Sequence, residues 1–187
     1  MNRSLQTNET SDDVIAKSAN QANENKLYLV ISNISKPTNI KALLRLACAF
    51  GCSKIFVAGQ RKFNFDPDSD DSDLPNNLKE ALRGIPVVQF EKLPECVDHI
   101  HSLGIKVIGV EIDESSVDIE QSENSFEGGT AFMMGNEGQG MNAKQMALCD
   151  GFVKISQYGG GTASLNVSVA AGIVLHRYQQ WFLTNER

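Results

Sequence analysis

At 187 residues, 41% hydrophobic and 21% charged, the chain has the length and composition of one compact domain, not of a disordered segment. Its net charge of −6 argues on average against a nucleic-acid binder. The charge is unevenly spread, however: residues 61–80 hold three bases and six acids, residues 111–127 hold seven acids and no base, and the remainder stands at +4.

No apolar run is long enough to span a bilayer and no secretory core precedes the domain. The four cysteines, Cys48, Cys52, Cys96 and Cys149, form no CxxC pair and sit in apolar surroundings, so reduced thiols are expected. Glu9, Asp12 and Asp13 make the N-terminal segment unlike an Arg-rich transit peptide. The expected location is the cytoplasm, with the nucleus left open and no membrane association.

In chain order, residues 1–26 lack apolar periodicity and read as a flexible tail ahead of a single domain over 27–187. Leu27 to Ile31 reads as a strand buried on both faces. From about Asn39, the spacing of Ile40, Leu43, Leu44, Ala47 and Phe50 predicts a helix stopped by Gly51. Lys54–Ala58 is the next strand, and Asp66 to Pro75 an acidic surface loop.

A helix over 78–83, a strand over 85–90, a helix over 92–103 ended by Gly104, and a strand over 105–110 follow. After a second acidic loop come a strand over 130–134, a short helix over 142–148, a strand over 152–155 and a buried helix from Ser164 to Trp181. Such alternation predicts an α/β fold: a mostly parallel sheet with helices on both faces.

In that architecture ligands lie outside the carboxyl ends of the strands, where three loops fall: 33–39, 135–141 and 156–164. Two are glycine-rich, which lets backbone groups approach a nucleotide-like ligand closely. Gly135 to Gly140 has the GxxxxG spacing of a phosphate loop, but Met141-Asn142 stand where Lys-Ser/Thr must follow. GxGxxG and GxSxG are both absent. Cys96, His99 and His101 lack an evident fourth zinc ligand, and Asp66, Asp68 and Asp70 lack the glycine and final glutamate of an EF-hand, so no metal site is expected.

The loops carry three ordered motifs. Asn39-Ile40-Lys41-Ala42-Leu43-Leu44-Arg45 leads to Phe50-Gly51; Met134-Gly135-Asn136-Glu137-Gly138-Gln139-Gly140 follows a strand; Ile155-Ser156-Gln157-Tyr158-Gly159 leads to Ser164-Leu165-Asn166-Val167-Ser168-Val169-Ala170. Together they resemble the SpoU-like (TrmH-like) 2′-O-ribose RNA methyltransferases of the SPOUT superfamily, over nearly all of residues 27–181. Lys41 departs from the family's glycine, Ser156 from its proline, and the run Gly159 to Gly161 lengthens the third loop by one residue.

The resemblance implies a C-terminal deep trefoil knot, S-adenosylmethionine as cofactor, tRNA or rRNA as substrate, and a homodimer whose site draws on both subunits. An accessory protein for substrate recognition is compatible with it. It assigns catalytic positions to Arg45, Asn39, Glu137, Ser164 and Asn166, and cofactor contacts to Met134, Gly135, Asn136, Ile155, Ser164 and Leu165.

Each residue has a plainer reading. Arg45 falls off its helix's apolar stripe, as a solvated residue would. Asn39 suits an N-cap, Glu137 a turn, and Ser164 and Asn166 a helix start. Ile155 and Leu165 suit a core. A non-catalytic RNA-binding scaffold of the same fold and a base-modifying SPOUT enzyme are the alternative functions.

Overall fold

Strand β1 (Leu27–Ser32) is buried along its whole length, as a continuous apolar run in a central parallel strand must be. Its residues alternate between two cores: Leu27, Leu29 and Ile31 point into one, Tyr28 and Val30 into the other. In this computed structural model the described residues are 26–126, 128–136, 138–159 and 164–185. The tail expected over 1–26 therefore falls almost wholly outside them, as do Glu137 and residues 160–163 of the third loop.

The elements that follow are α1 (Pro37–Ala49), β2 (Lys54–Ala58), α2 (Asn76–Leu82), β3 (Val87–Phe90), α3 (Leu93–Ser102) and β4 (Lys106–Val110). They continue with β5 (Val117–Asp118), a 3-10 helix (Ile119–Ser125), β6 (Thr130–Met134), α4 (Ala143–Met146), β7 (Gly151–Lys154) and α5 (Val167–Asn185). The seven strands form one sheet in the order β3-β2-β1-β6-β4-β7-β5, and every pairing is parallel. Helices α1, α2 and α5 cover one face and α3 and α4 the other, which bears out the expected architecture.

Four local readings are corrected. Pro37, not Asn39, opens α1: its fixed φ suits the first turn and Lys36 is the N-cap, so Asn39 lies inside the helix and is buried. The acidic stretch after β4 is not all loop, since Val117-Asp118 pair with Val153-Lys154 at the sheet edge and a 3-10 helix follows. Helix α5 starts at Val167, three residues later than expected. It is buried only along the stripe Val167, Ala171, Val174, Leu175 and Tyr178, while Val169 and Leu183 are exposed.

The anchor of α5 is aromatic. Phe126 meets Phe132, Tyr178 and Trp181 edge-on at centroid separations of 5.4–5.7 Å, a geometry that adds about 0.5–1.5 kcal/mol per pair beyond burial. Gln179 Nε2 donates to Phe50 O at 2.6 Å and so satisfies a carbonyl at the end of α1, whose stop is Gly51 at φ +66°.

Candidate functional site

The three loops converge at the carboxyl edge of the sheet, where the direction of the chain's travel reverses between β1 and β4. Asn136 ties the second loop to the first: its Nδ2 donates to Asn33 O at 2.6 Å and to Ser35 Oγ at 3.2 Å. Asn33 itself adopts φ +57°, a conformation that asparagine tolerates better than most residues. Asn166 ties the third loop to α1, its Nδ2 donating to Asn39 Oδ1 at 3.3 Å.

The second loop is a tight return. Asn136 and Gly140 exchange backbone hydrogen bonds at 3.0 and 3.1 Å, with Gly138 at φ +91° and Gly140 at φ +66°. Downstream, Asn142 caps α4 by accepting from Gln145 N, and Gln145 Oε1 accepts from Asn142 N in return.

Between the second and third loops lies a cavity of about 330 Å³, within the range of small-ligand sites. Met134, Gly135, Asn136, Ile155, Ser164 and Leu165 all line it. Their strand-end positions explain this: Met134 closes β6, and Ile155 directly follows β7. Val110, Glu111 and Ile112 at the end of β4 complete the wall together with Gln157 and Lys154.

The residues expected to act on substrate are dispersed. Asn39 is buried beside Asn166, and Ser164 is exposed at the rim. Asn166 is the N-cap of α5, its Oδ1 accepting from Ser168 N at 2.9 Å, so the capping reading holds for it and not for Ser164. Arg45 is exposed on α1, makes no ion pair with a described residue, and is not part of the cavity wall. Glu137 lies outside the described residues.

Two features escape sequence reasoning. Glu111, counted there only as one of seven acids, stands in the cavity wall and accepts from Met141 N at 2.6 Å. Ser156, which departs from the family's proline, donates through Oγ to Asp118, while Asp118 also accepts from Glu120 N. Those two hydrogen bonds, the first above all, hold the Asp118 carboxyl below the usual carboxylate range. The third loop is thereby fastened to the edge strand β5.

A seven-stranded parallel sheet flanked by helices, with a cavity at the carboxyl ends of β4, β6 and β7, defines an α/β protein. More narrowly, the chain belongs to the SpoU rRNA Methylase family, whose model matches residues 26–176. A 23S rRNA (guanosine-2′-O-)-methyltransferase RlmB of Vibrio vulnificus is 31% identical over 168 residues, covering 88% of this chain and 61% of the relative. The SpoU methyltransferase AviRb of Streptomyces viridochromogenes, solved with AdoMet, superposes with a TM-score of 0.70 at 24% identity over 86% of this chain and 59% of that one. The A. aeolicus TrmH/SpoU tRNA modifying enzyme superposes at 0.69 with 18% identity, covering 93% of this chain and 85% of that one. The chain thus spans about three-fifths of the RlmB and AviRb relatives. Among the described residues no helix is long and apolar enough to cross a membrane.

Proposed function

We propose that residues 27–187 form an S-adenosylmethionine-dependent methyltransferase domain that modifies the ribose 2′-hydroxyl of an RNA. The carrying observation is that all six residues assigned to the cofactor from sequence line one cavity between the two glycine-rich loops. The donor set fits the group. Gly135, Gly138 and Gly140 present bare backbone in the cavity wall, and Ile155 and Leu165 supply apolar walls for an adenine. S-adenosylmethionine, when bound, supplies a methyl group activated on a sulfonium.

A ribose hydroxyl is a weak nucleophile, so the protein's part is to align it and polarise its O–H bond. Arg45 takes that role as a fixed positive charge beside the hydroxyl and its neighbouring phosphate, since a guanidinium stays protonated and cannot serve as a base. Asn39 and Asn166 hold each other and so fix the third loop against α1. Ser164 at the rim, and Glu137 by the family resemblance, contact the target nucleotide.

Arg45 stands exposed and outside the wall of its own chain's cavity, which favours a homodimer in which each Arg45 serves the partner's cavity. In keeping with the family, the reading includes a deep trefoil knot at the C-terminal end of the domain. The substrate is a tRNA or rRNA, the two classes named among the relatives. Substrate choice falls to the catalytic body, the dimer surface, residues 1–26 or an accessory protein, and the cytoplasm is the working compartment.

Incubation of the full chain with methyl-labelled S-adenosylmethionine and total RNA, followed by nucleoside analysis, tests this. The expected product is a 2′-O-methylnucleoside that resists alkaline cleavage, with Arg45→Ala lowering the rate by at least about 100-fold, the scale on which preorganised charge acts. Label in a base would overturn the ribose assignment. A wild-type chain that binds the cofactor but labels no RNA, even with cell extract added, would favour the scaffold reading.

A further inference from the structure

The residue after β4 carries a carboxylate held in an unusual way. The Glu111 backbone N–H donates to Val153 O at 3.0 Å, which prolongs the ladder to β7 and turns the side chain toward the cavity. Glu111 Oε1 accepts from Ile112 N at 3.0 Å and Oε2 from Met141 N at 2.6 Å. The same Oε2 lies so close to the second loop that a Cβ on Gly135 or Gly140 would stand 2.9 or 2.4 Å from it. The glycines of this loop thus make room for a carboxylate.

Two backbone donors satisfy one lone pair on each oxygen and leave the negative charge uncompensated. No Lys, Arg or His among the described residues pairs with Glu111. Lys154 lines the same cavity but forms no ion pair with Glu111. An unpaired half-buried carboxylate in a cavity wall is costly unless the cavity's occupant brings positive charge.

On the methyl-donor reading above, on which this inference rests, the two ligands of the cavity differ in charge. The donor carries a sulfonium; the spent product, S-adenosylhomocysteine, carries a neutral thioether. We infer that Glu111 is a specificity-determining residue whose carboxylate favours the cationic donor over the neutral product. Its hydrogen bond to Met141 N sets the carboxylate in place without neutralising it. Product release is then assisted by the loss of the charge that held the donor.

The test is calorimetric binding to the full chain, wild type and Glu111→Gln, with three ligands: S-adenosylmethionine, S-adenosylhomocysteine and sinefungin, which bears an ammonium in place of the sulfonium. The substitution is expected to weaken both cationic ligands by roughly tenfold, the effect of one screened unit charge in a partly solvated cavity, and to change S-adenosylhomocysteine by less than about threefold. Glu111→Asp, which keeps the charge, is expected to retain the wild-type ratio of donor to product affinity. Equal weakening of all three ligands would overturn the inference and reduce Glu111 to a support of the loop. Unchanged affinities would also overturn it. If the wild-type chain binds none of the three, the methyl-donor reading falls and this inference falls with it.

Discussion

The geometry of the second loop makes Gly140→Ala a demanding test of how the cavity is built. Two penalties add. Gly140 sits at φ +66°, where a side chain costs about 1–2 kcal/mol. The new Cβ would also lie 2.4 Å from Glu111 Oε2 and 3.0 Å from its Cδ. Because the obstruction is the far end of a flexible side chain, the carboxylate will swing aside rather than the backbone move. Its hydrogen bond to Met141 N is then lost, at about 1.5–3 kcal/mol for a charged acceptor. The sum is about 2.5–5 kcal/mol, which for a domain of this size corresponds to roughly 10 °C in Tm. Chemical denaturation of Gly140→Ala in the wild-type and Glu111→Ala backgrounds separates the parts: only the backbone penalty of about 1–2 kcal/mol should persist once the carboxylate is gone. An equal cost in both backgrounds would refute the claim that Glu111 fills the space beside Gly140.

Two further outcomes follow from packing. Gly109→Ala in β4 would place a Cβ 2.7 Å from two ring carbons of Phe152 and 3.1 Å from Cys149 Sγ, so an overpacking cost of about 1–3 kcal/mol should appear as a lower urea midpoint with unchanged slope; an unshifted midpoint would mean that the ring moves aside freely. Burial pushes the Cys52, Cys96 and Cys149 thiols up to about 12 and raises Cys48 as well, so all four stay protonated at pH 8. A thiol-specific chromogenic reagent should therefore react slowly with the native protein and rapidly with all four after unfolding; prompt native reaction of Cys52 or Cys96 would contradict the burial.

What the sequence discloses, and what it hides, follows from the range of the interactions. The strands β1, β2, β4 and β6 are legible because parallel strands covered on both faces are apolar residue after residue. The cavity lining is legible for the same local reason: glycine loops after strand ends must lie at the carboxyl edge. Strand β5 is not, because its two residues sit in a run of acids and its pairing with Val153 and Lys154 is set 36 residues away in sequence. Glu111 is hidden likewise, since its partners are the backbone of Met141 and the bare Cα atoms of Gly135 and Gly140. Asn39 misleads in the other direction. Asparagine before an apolar stripe reads as a cap, yet Pro37 already supplies the helix start, and the asparagine is buried to meet Asn166. Ser156 looks like a defect of its motif until Asp118 is seen to receive it.

The placement of β1 has a consequence for how the protein is made. This strand pairs with β2 on one side, but its other edge is closed by β6, from Leu27 against Thr130 to Val30 against Met133. The face that β1 shares with α1 is completed by Val174, Leu175 and Tyr178 of α5. During synthesis at about 5–20 residues per second, the emerging chain therefore carries an open strand edge and an incomplete apolar layer for several seconds. Its first half can pair β1, β2 and β3, but the inner edge of that sheet stays open until β6 arrives. The order of synthesis and the order of strands in the sheet thus differ, and the central pairing of β1 with β6 closes late.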